Sequence, residues 1–339
     1  MLLKTPSPRR LSDSPLWKRG KFRNIEPTTI MPASNTGRIM RRGWEARQWE
    51  RVPSFALPTR PLRRADFGAP DATLAYHWLG HSSFLLELEG RRFLVDPVFS
   101  QRVSFSQLVG PRRFFANPLP PDQLPPLDAV LLSHDHYDHL DEASVMALLL
   151  RGVAFHMPLG VGKHLRRWGV PDELVHEHDW WEGFELGGLR VVAGPARHFS
   201  GRGLADRDRS LWASWSFIGK RHRVFYSGDT GRMGQWAEIA QRLGPFDWTL
   251  MQMGAYDELW HDIHLFPEEA LDAHQALGAR RVFPLHWGTF NLALHPWDEP
   301  IRRFVAEAER RGIDWSAPQP GQRVTLNDAP SRGPWWEKP

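Results

Sequence analysis

In the stretch AVLLSHDHYDHLDEASVMALLL, residues 129–150, an apolar run ends and His134, His136, Asp138 and His139 follow at once as an H-x-H-x-D-H array. A core rejects such a cluster, because buried unpaired polar groups cost free energy. A solvated loop has no use for imidazoles at fixed spacing. Imidazole nitrogens and carboxylate oxygens are ligands that zinc accepts. In a turn after a strand, alternate residues aim at a common point. His134 and His136 can therefore face one ion while Asp138 and His139 face a second. Closing both sites needs further ligands, and His198, Asp229 and His286 each stand just past a strand-like run. Two close divalent ions lower the pKa of a bridging water from about 16 toward about 7, which yields hydroxide at neutral pH.

Other chemistries fit less well. GHSSF (80–84) lacks the closing glycine of a nucleophile elbow. SGDTG around Asp229 lacks the lysine of a phosphate loop. There is no cysteine, so disulfides, thiolate metal sites and a cysteine nucleophile are excluded. Ten further histidines, His81 and His274 among them, read as ordinary surface or core residues.

The elements that must position the array are legible from residue 74 onward. FLLELEGRRFLVDPVF predicts two strands around a Glu89-Gly90 turn. DAVLLS (128–133), GLRVVAG (188–194), HRVFYSG (222–228), DWTLMQMG (247–254) and RVFPLH (281–286) predict strands. DEASVMALLL predicts a helix capped by Asp141. FPEEALDAHQALGA predicts another, with Pro267 at its first position and Gly278 past its end. Strand clusters with interspersed helices imply sheets flanked by helices.

Residues 1–70 differ in kind and are read as an arm before a domain at 71–330. Residues 1–65 hold 15 Lys/Arg against 4 Asp/Glu, so a net +11 sits there while the whole chain carries only +4. Such an arm suits an anionic surface, or it wraps the domain as a solvated segment. Trp17, Trp44 and Trp49 in or near it fit a membrane interface, although tryptophan also simply packs. TTIMPASNTG reads as loop and PSFALPTRPLRRADFGAP as an extended linker. No apolar run approaches the roughly 18 residues of a membrane span. The N-terminus lacks the apolar core of a signal peptide. The expectation is a cytoplasmic protein, peripheral on the inner membrane face if it meets a membrane. No nucleic-acid motif accompanies the basic arm, and no nucleic-acid partner is expected.

The array followed by His198, Asp229 and His286 resembles the metallo-β-lactamase superfamily. HWLGHSSFLLELEGRRFLVDPVFS, HDWWE, SLWASWSF, FYSGDTG, GPFDWTLMQMGAY and LHWGTFNLALHPWDEP resemble its N-acylphosphatidylethanolamine-hydrolysing phospholipase D-like subfamily, over about residues 75–310. FRN (22–24) is the one familiar stretch in the arm. The resemblance implies an α+β fold, a four-layer αββα sandwich preceded by an irregular basic arm. It implies two Zn2+ per chain, with Mn2+ or Fe2+ as alternatives. His134, His136 and His198 would hold one ion and Asp138, His139 and His286 the other, with Asp229 bridging. Asp138 and Asp229 would serve catalysis with His264, and Tyr137 and His264 would contact substrate. The implied reaction releases N-acylethanolamine and phosphatidic acid from a phospholipid. A lactone, amide or soluble phosphodiester is the alternative substrate, a membrane-binding protein with a vestigial site the non-enzymatic reading. A homodimer is implied by resemblance alone. The chain departs from the pattern at Asp257-Glu258-Leu259-Trp260, where the relatives read Glu-Pro-Arg-Trp, and at Phe199, where they carry tryptophan.

Overall fold

The computed structural model describes residues 10–30, 36–46, 50–203 and 205–338. The arm contributes β1 (Trp17–Lys18), β2 (Lys21–Phe22) and α1 (Thr36–Glu45). The domain then runs through β3 (Leu74–Gly80), β4 (Ser83–Leu88), β5 (Arg91–Val95), β6 (Ala129–Leu131), α2 (Glu142–Leu149), β7 (Phe155–Pro158), α3 (Gly162–Arg167) and β8 (Val175–His178). Its second half holds β9 (Gly183–Leu186), β10 (Leu189–Gly194), β11 (Ser214–Ile218), β12 (Arg223–Tyr226), α4 (Trp236–Leu243), β13 (Trp248–Gln252), α5 (Pro267–Ala276), β14 (Arg281–Leu285), α6 (Glu299–Arg311) and β15 (Arg323–Thr325).

Two mixed sheets result. One has the order β15-β3-β4-β5-β6-β7-β8 and the other β14-β13-β12-β11-β10-β9. Side-chain alternation explains why each sheet is covered on both faces. Phe84, Leu86, Phe93, Val95, Ala129 and Leu131 point inward and join Val191, Trp215, Tyr226 and Leu250 of the facing sheet. Their neighbours Leu85, Leu94, Val130 and Leu132 point outward, against Val145 and Leu148 of α2 and Leu165 of α3. On the far side, Trp236 and Ile239 of α4, Leu271 of α5 and Ile301, Phe304 and Ala308 of α6 cover the second sheet. The layers are therefore helix, sheet, sheet, helix, the αββα sandwich. Each fully buried Leu, Phe or Val contributes roughly 1.5–3 kcal/mol.

The β4–β5 hairpin turns at Glu89 (φ 46°) and Gly90 (φ 83°), pairing Leu88 with Arg91. Both φ values are positive, as a two-residue hairpin turn demands. The Glu89 carboxylate then accepts the Lys220, Arg221 and His222 amides, which fastens this turn to the β11–β12 turn. Asp141 does occupy the N-cap of α2, but its carboxylate serves the Ser100 and Ser144 hydroxyls.

The described part of the arm is more ordered than its composition implied. Phe22 is fully buried and Trp17 meets it edge-on at 4.9 Å. Thr36 and Gly37 of the expected loop begin α1, whose glycines and scarce apolar residues hid it from periodicity. Trp44 is exposed on α1, whereas Trp49 and residues 31–35 of the expected loop lie outside the described residues. Residues 53–70 are irregular apart from one short turn at Arg64–Asp66, as their prolines predict.

Candidate metal centre

All the expected ligands sit where strands end. The 134–139 turn follows β6, His198 follows β10, Asp229 follows β12 and His286 follows β14. Two glycines permit this. At Gly228 (φ 58°) an added Cβ would lie 2.6 Å from the Ala213 carbonyl, so only glycine lets the β12 turn deliver Asp229. At Gly254 an added Cβ would lie 1.9 Å from the His286 carbonyl, so the chain after β13 passes directly against that ligand.

The seven side chains converge in two groups. His136 Nδ1 lies 2.8 Å from His134 Nε2 and 3.2 Å from His198 Nε2. His286 Nε2 lies 3.3 Å from Asp138 Oδ2, and His139 Nε2 lies 3.6 Å from the same oxygen. Asp229 Oδ2 stands between the groups, 3.0 Å from His286, 3.2 Å from His139, 3.9 Å from His198 and 4.0 Å from His134. His139 Nε2, His286 Nε2 and Asp229 Oδ1 are buried with no hydrogen-bond partner. Buried polar atoms are normally paired, so these convergent orphan atoms fit divalent cations as their partners. The donor set, imidazole and carboxylate, suits zinc.

A surrounding layer fixes these ligands. Asp96, fully buried, lies 2.7 Å from His139 Nδ1 and accepts from Tyr226 Oη (2.6 Å) and the Ser133 amide (2.7 Å). That contact puts the His139 proton on Nδ1 and leaves Nε2 facing Asp229. His198 Nδ1 lies 2.9 Å from the Ile263 carbonyl, with the same consequence for its Nε2. The His198 backbone is held by Asn24 of the arm, which accepts its N–H (3.1 Å) and donates to its carbonyl (2.7 Å). Asp135, inside the array, points away and accepts from the Gly201 amide (2.7 Å) and the Ser210 hydroxyl.

Electrostatics divides the ligands. Burial pushes His134, His136 and His198 below the usual imidazole range, so their lone pairs are free. Burial also opposes charge on His139 and His286, but Asp229 and Asp138 outweigh it. His139 is held well above its ordinary value and His286 is raised to about 9. The two carboxylates stay ionised despite burial, because those imidazoles face them. A cation binding there displaces the histidine protons and takes over the neutralising role.

The expected substrate contacts are half-buried beside the ligand cluster. Tyr137 packs with Val98, Val103, Phe290 and Leu292, and its hydroxyl donates to the Arg202 carbonyl (3.1 Å). The Arg202 guanidinium lies 3.9 Å from the Tyr137 ring centre. His264 stands with its ring centre 5.2 Å from those of both His198 and His286, and burial lowers its pKa to about 3. One of its nitrogens falls among possible ligand atoms with His198 and Asp229. Phe199 lies against the His136 ring (4.4 Å). At the altered 257–260 segment, Asp257 is buried and ion-paired at 2.8 Å with Arg42 of α1. An arginine therefore does reach this segment, from the arm and not from its own sequence.

Sequence reasoning passed over three residues. His81, read as ordinary, is buried with Nε2 2.9 Å from Asp138 Oδ2. Asp96 in LVDPVF and Asn24 in FRN carry no local signal of their contacts with His139 and His198. His274 does prove an ordinary helix residue, hydrogen-bonded to Thr249 (2.7 Å).

Comparison with known proteins bears on the family and the fold. The profile of the beta-lactamase superfamily domain matches residues 91–287. An uncharacterised protein of Mycobacterium tuberculosis is 43% identical over 332 residues, spanning 95% of this chain and 87% of that protein. N-acyl-phosphatidylethanolamine-hydrolyzing phospholipase D 1 of Caenorhabditis elegans is 35% identical over 255 residues, spanning 72% of this chain and 71% of that protein. Among solved structures, a metallo hydrolase of Ignicoccus hospitalis shares the fold with a TM-score of 0.58 at 21% identity, covering 76% of this chain and 99% of that one.

Proposed function

Because the chain belongs to the metallo-β-lactamase superfamily of metal-dependent hydrolases, beside the N-acylphosphatidylethanolamine-hydrolysing phospholipases D, we propose that it is a dinuclear zinc phosphodiesterase of phospholipase D type. The observation that carries this reading is the pair of ligand groups sharing Asp229. One group is all imidazole and the other mixes imidazole with carboxylate. A divalent pair held there supplies an acidified water and positive charge for the phosphate oxygens. Asp229 would bridge, and Asp138 would aim at the second ion while its neighbours exclude bulk water. His264, kept neutral by burial, would hydrogen-bond a phosphodiester oxygen. Tyr137 and Leu292, both half-buried, rest on the buried Val98, Val103 and Phe290.

The substrate class proposed is that named for the phospholipase D relative. On this proposal, N-acylphosphatidylethanolamine is hydrolysed at the bond between phosphorus and the ethanolamine oxygen, releasing N-acylethanolamine and phosphatidic acid. Peripheral docking on an anionic membrane and a homodimer belong to the same proposal. Phe105, Leu108 and Val109 stand exposed on the loop that begins beside Val98 and Val103, which supports a lipid-facing mouth. Among the described residues no helix is long and apolar enough to cross a membrane. The test is product analysis on zinc-loaded protein with this lipid in mixed micelles. Phosphatidic acid with N-acylethanolamine is the expected pair. Diacylglycerol with the phosphorylated N-acylethanolamine, or turnover of lactones and soluble diesters far above lipid, would overturn it.

A further inference from the structure

We infer that His81 is a positioning residue of the metal centre, holding the Asp138 carboxylate in the orientation in which it meets the second ion with His139 and His286. The inference rests on the metal-centre reading above and adds an eighth residue to it.

His81 ends the β3 motif WLGH in a left-handed backbone, φ 55°, which histidine seldom adopts. Such a conformation persists only where its surroundings over-determine it. Here the His81 N–H donates to Thr289 Oγ1 (2.7 Å). Its carbonyl accepts from Trp78 Nε1 (2.8 Å) and from the His286 N–H (3.1 Å). Trp78 is itself buried and stacked on Trp287. The imidazole then lies against the His286 ring, 3.9 Å between centroids, and meets Phe290 edge-on at 5.2 Å.

That leaves the ring two unequal nitrogens. Nδ1 is buried with no hydrogen-bond partner. Nε2 lies 2.9 Å from Asp138 Oδ2. A buried N–H without an acceptor is costlier than a buried lone pair without a donor, so the proton of the neutral ring belongs on Nε2. Carrying that proton, Nε2 donates to Asp138 and is not itself a metal ligand. His81 thus ties two ligands of one ion together, Asp138 through its side chain and His286 through its backbone carbonyl. Outer partners of this kind set ligand orientation.

Full-length His81→Ala and His81→Gln variants test this, the Gln amide nitrogen replacing Nε2 as donor. Metal affinities come from Zn2+ titration against a competing chelator, and ligand geometry from the absorption of the Co2+-loaded proteins. His81→Ala should weaken one of two equivalents about 10- to 100-fold and spare the other. His81→Gln should recover most of that loss with an unchanged Co2+ spectrum. Thermal unfolding of the metal-free proteins checks that both variants fold. Wild-type affinities in both variants would overturn the inference. So would failure of Gln to rescue, with a Co2+ spectrum showing one nitrogen fewer, because His81 would then be a ligand. A wild-type protein that binds no metal would instead overturn the metal-centre reading on which the inference stands.

Discussion

Asp96→Asn isolates how far the surrounding layer sets metal affinity. The substitution keeps size and removes charge at a fully buried position. Every neighbour of this carboxylate is a donor: His139 Nδ1–H, Tyr226 Oη–H, the Ser133 amide and the Ser133 hydroxyl. An asparagine NH2 group must therefore face the Ser133 amide, which can only donate, or stand where Oδ2 holds the His139 proton and so drive that proton from Nδ1 to Nε2. The first outcome leaves a buried donor unpaired, at about 1–3 kcal/mol of stability. The second places a proton on the atom that faces Asp229, where the ion needs a lone pair. Losing such an outer partner weakens metal binding about 10- to 100-fold, roughly 1.4–2.8 kcal/mol. Zn2+ titration against a chelator, with thermal unfolding of the metal-free and loaded forms, reads both. The ion that uses His139 should weaken while the His134–His136–His198 ion keeps its affinity. Two equivalents at wild-type affinity, with unchanged unfolding of the metal-free protein, would refute the reasoning.

Three further outcomes are expected. His264→Ala should lower turnover about 10- to 100-fold, the worth of one hydrogen bond to a charged oxygen, with both metal equivalents retained by elemental analysis. Loss of an equivalent would make His264 a ligand. Asn24→Ala removes both hydrogen bonds on the His198 backbone, so it should cost about 1–3 kcal/mol in thermal unfolding and weaken the His198 ion; an unaltered melting temperature would contradict this. His274 is held neutral by burial, its pKa lowered to about 4 against an ordinary value of 6.5. Its contribution is present above the unfolded value and is lost as pH falls through the folded one. Unfolding of the metal-free protein by urea should therefore lose less stability between pH 6.5 and about 4 in His274→Asn, by up to about 1.4 kcal/mol per pH unit; an identical slope would contradict this.

The candidate site was legible because clusters of histidine and aspartate at strand ends leave short, chemically distinct signatures. H-x-H-x-D-H cannot be confused with a helix face or a pleated strand. The β4–β5 hairpin and α5 were legible for similar reasons, a two-residue turn carrying Gly90 and a helix opened by Pro267 and closed before Gly278. Other features depended on tertiary partners. β7, with the sequence FHMP, carries no alternation because both of its faces are buried. Asp96 and His81 look like any polar residue beside a strand until His139 and Asp138 arrive from β6. Arg42 meets Asp257 across 215 positions, and Asn24 meets His198 across 174, spans that no local pattern encodes. The basic composition of the arm hid these contacts, since charge counts say nothing of which residues dock.

Metal stoichiometry joined to lipid turnover tests the central claim most directly. Metal-free protein is titrated with Zn2+ while release of phosphatidic acid from N-acylphosphatidylethanolamine is followed. The account predicts two equivalents bound per chain, no turnover without metal, and full turnover only as the second equivalent fills. Lipid hydrolysis by metal-free protein, or full turnover with binding saturated at a single equivalent, would contradict it.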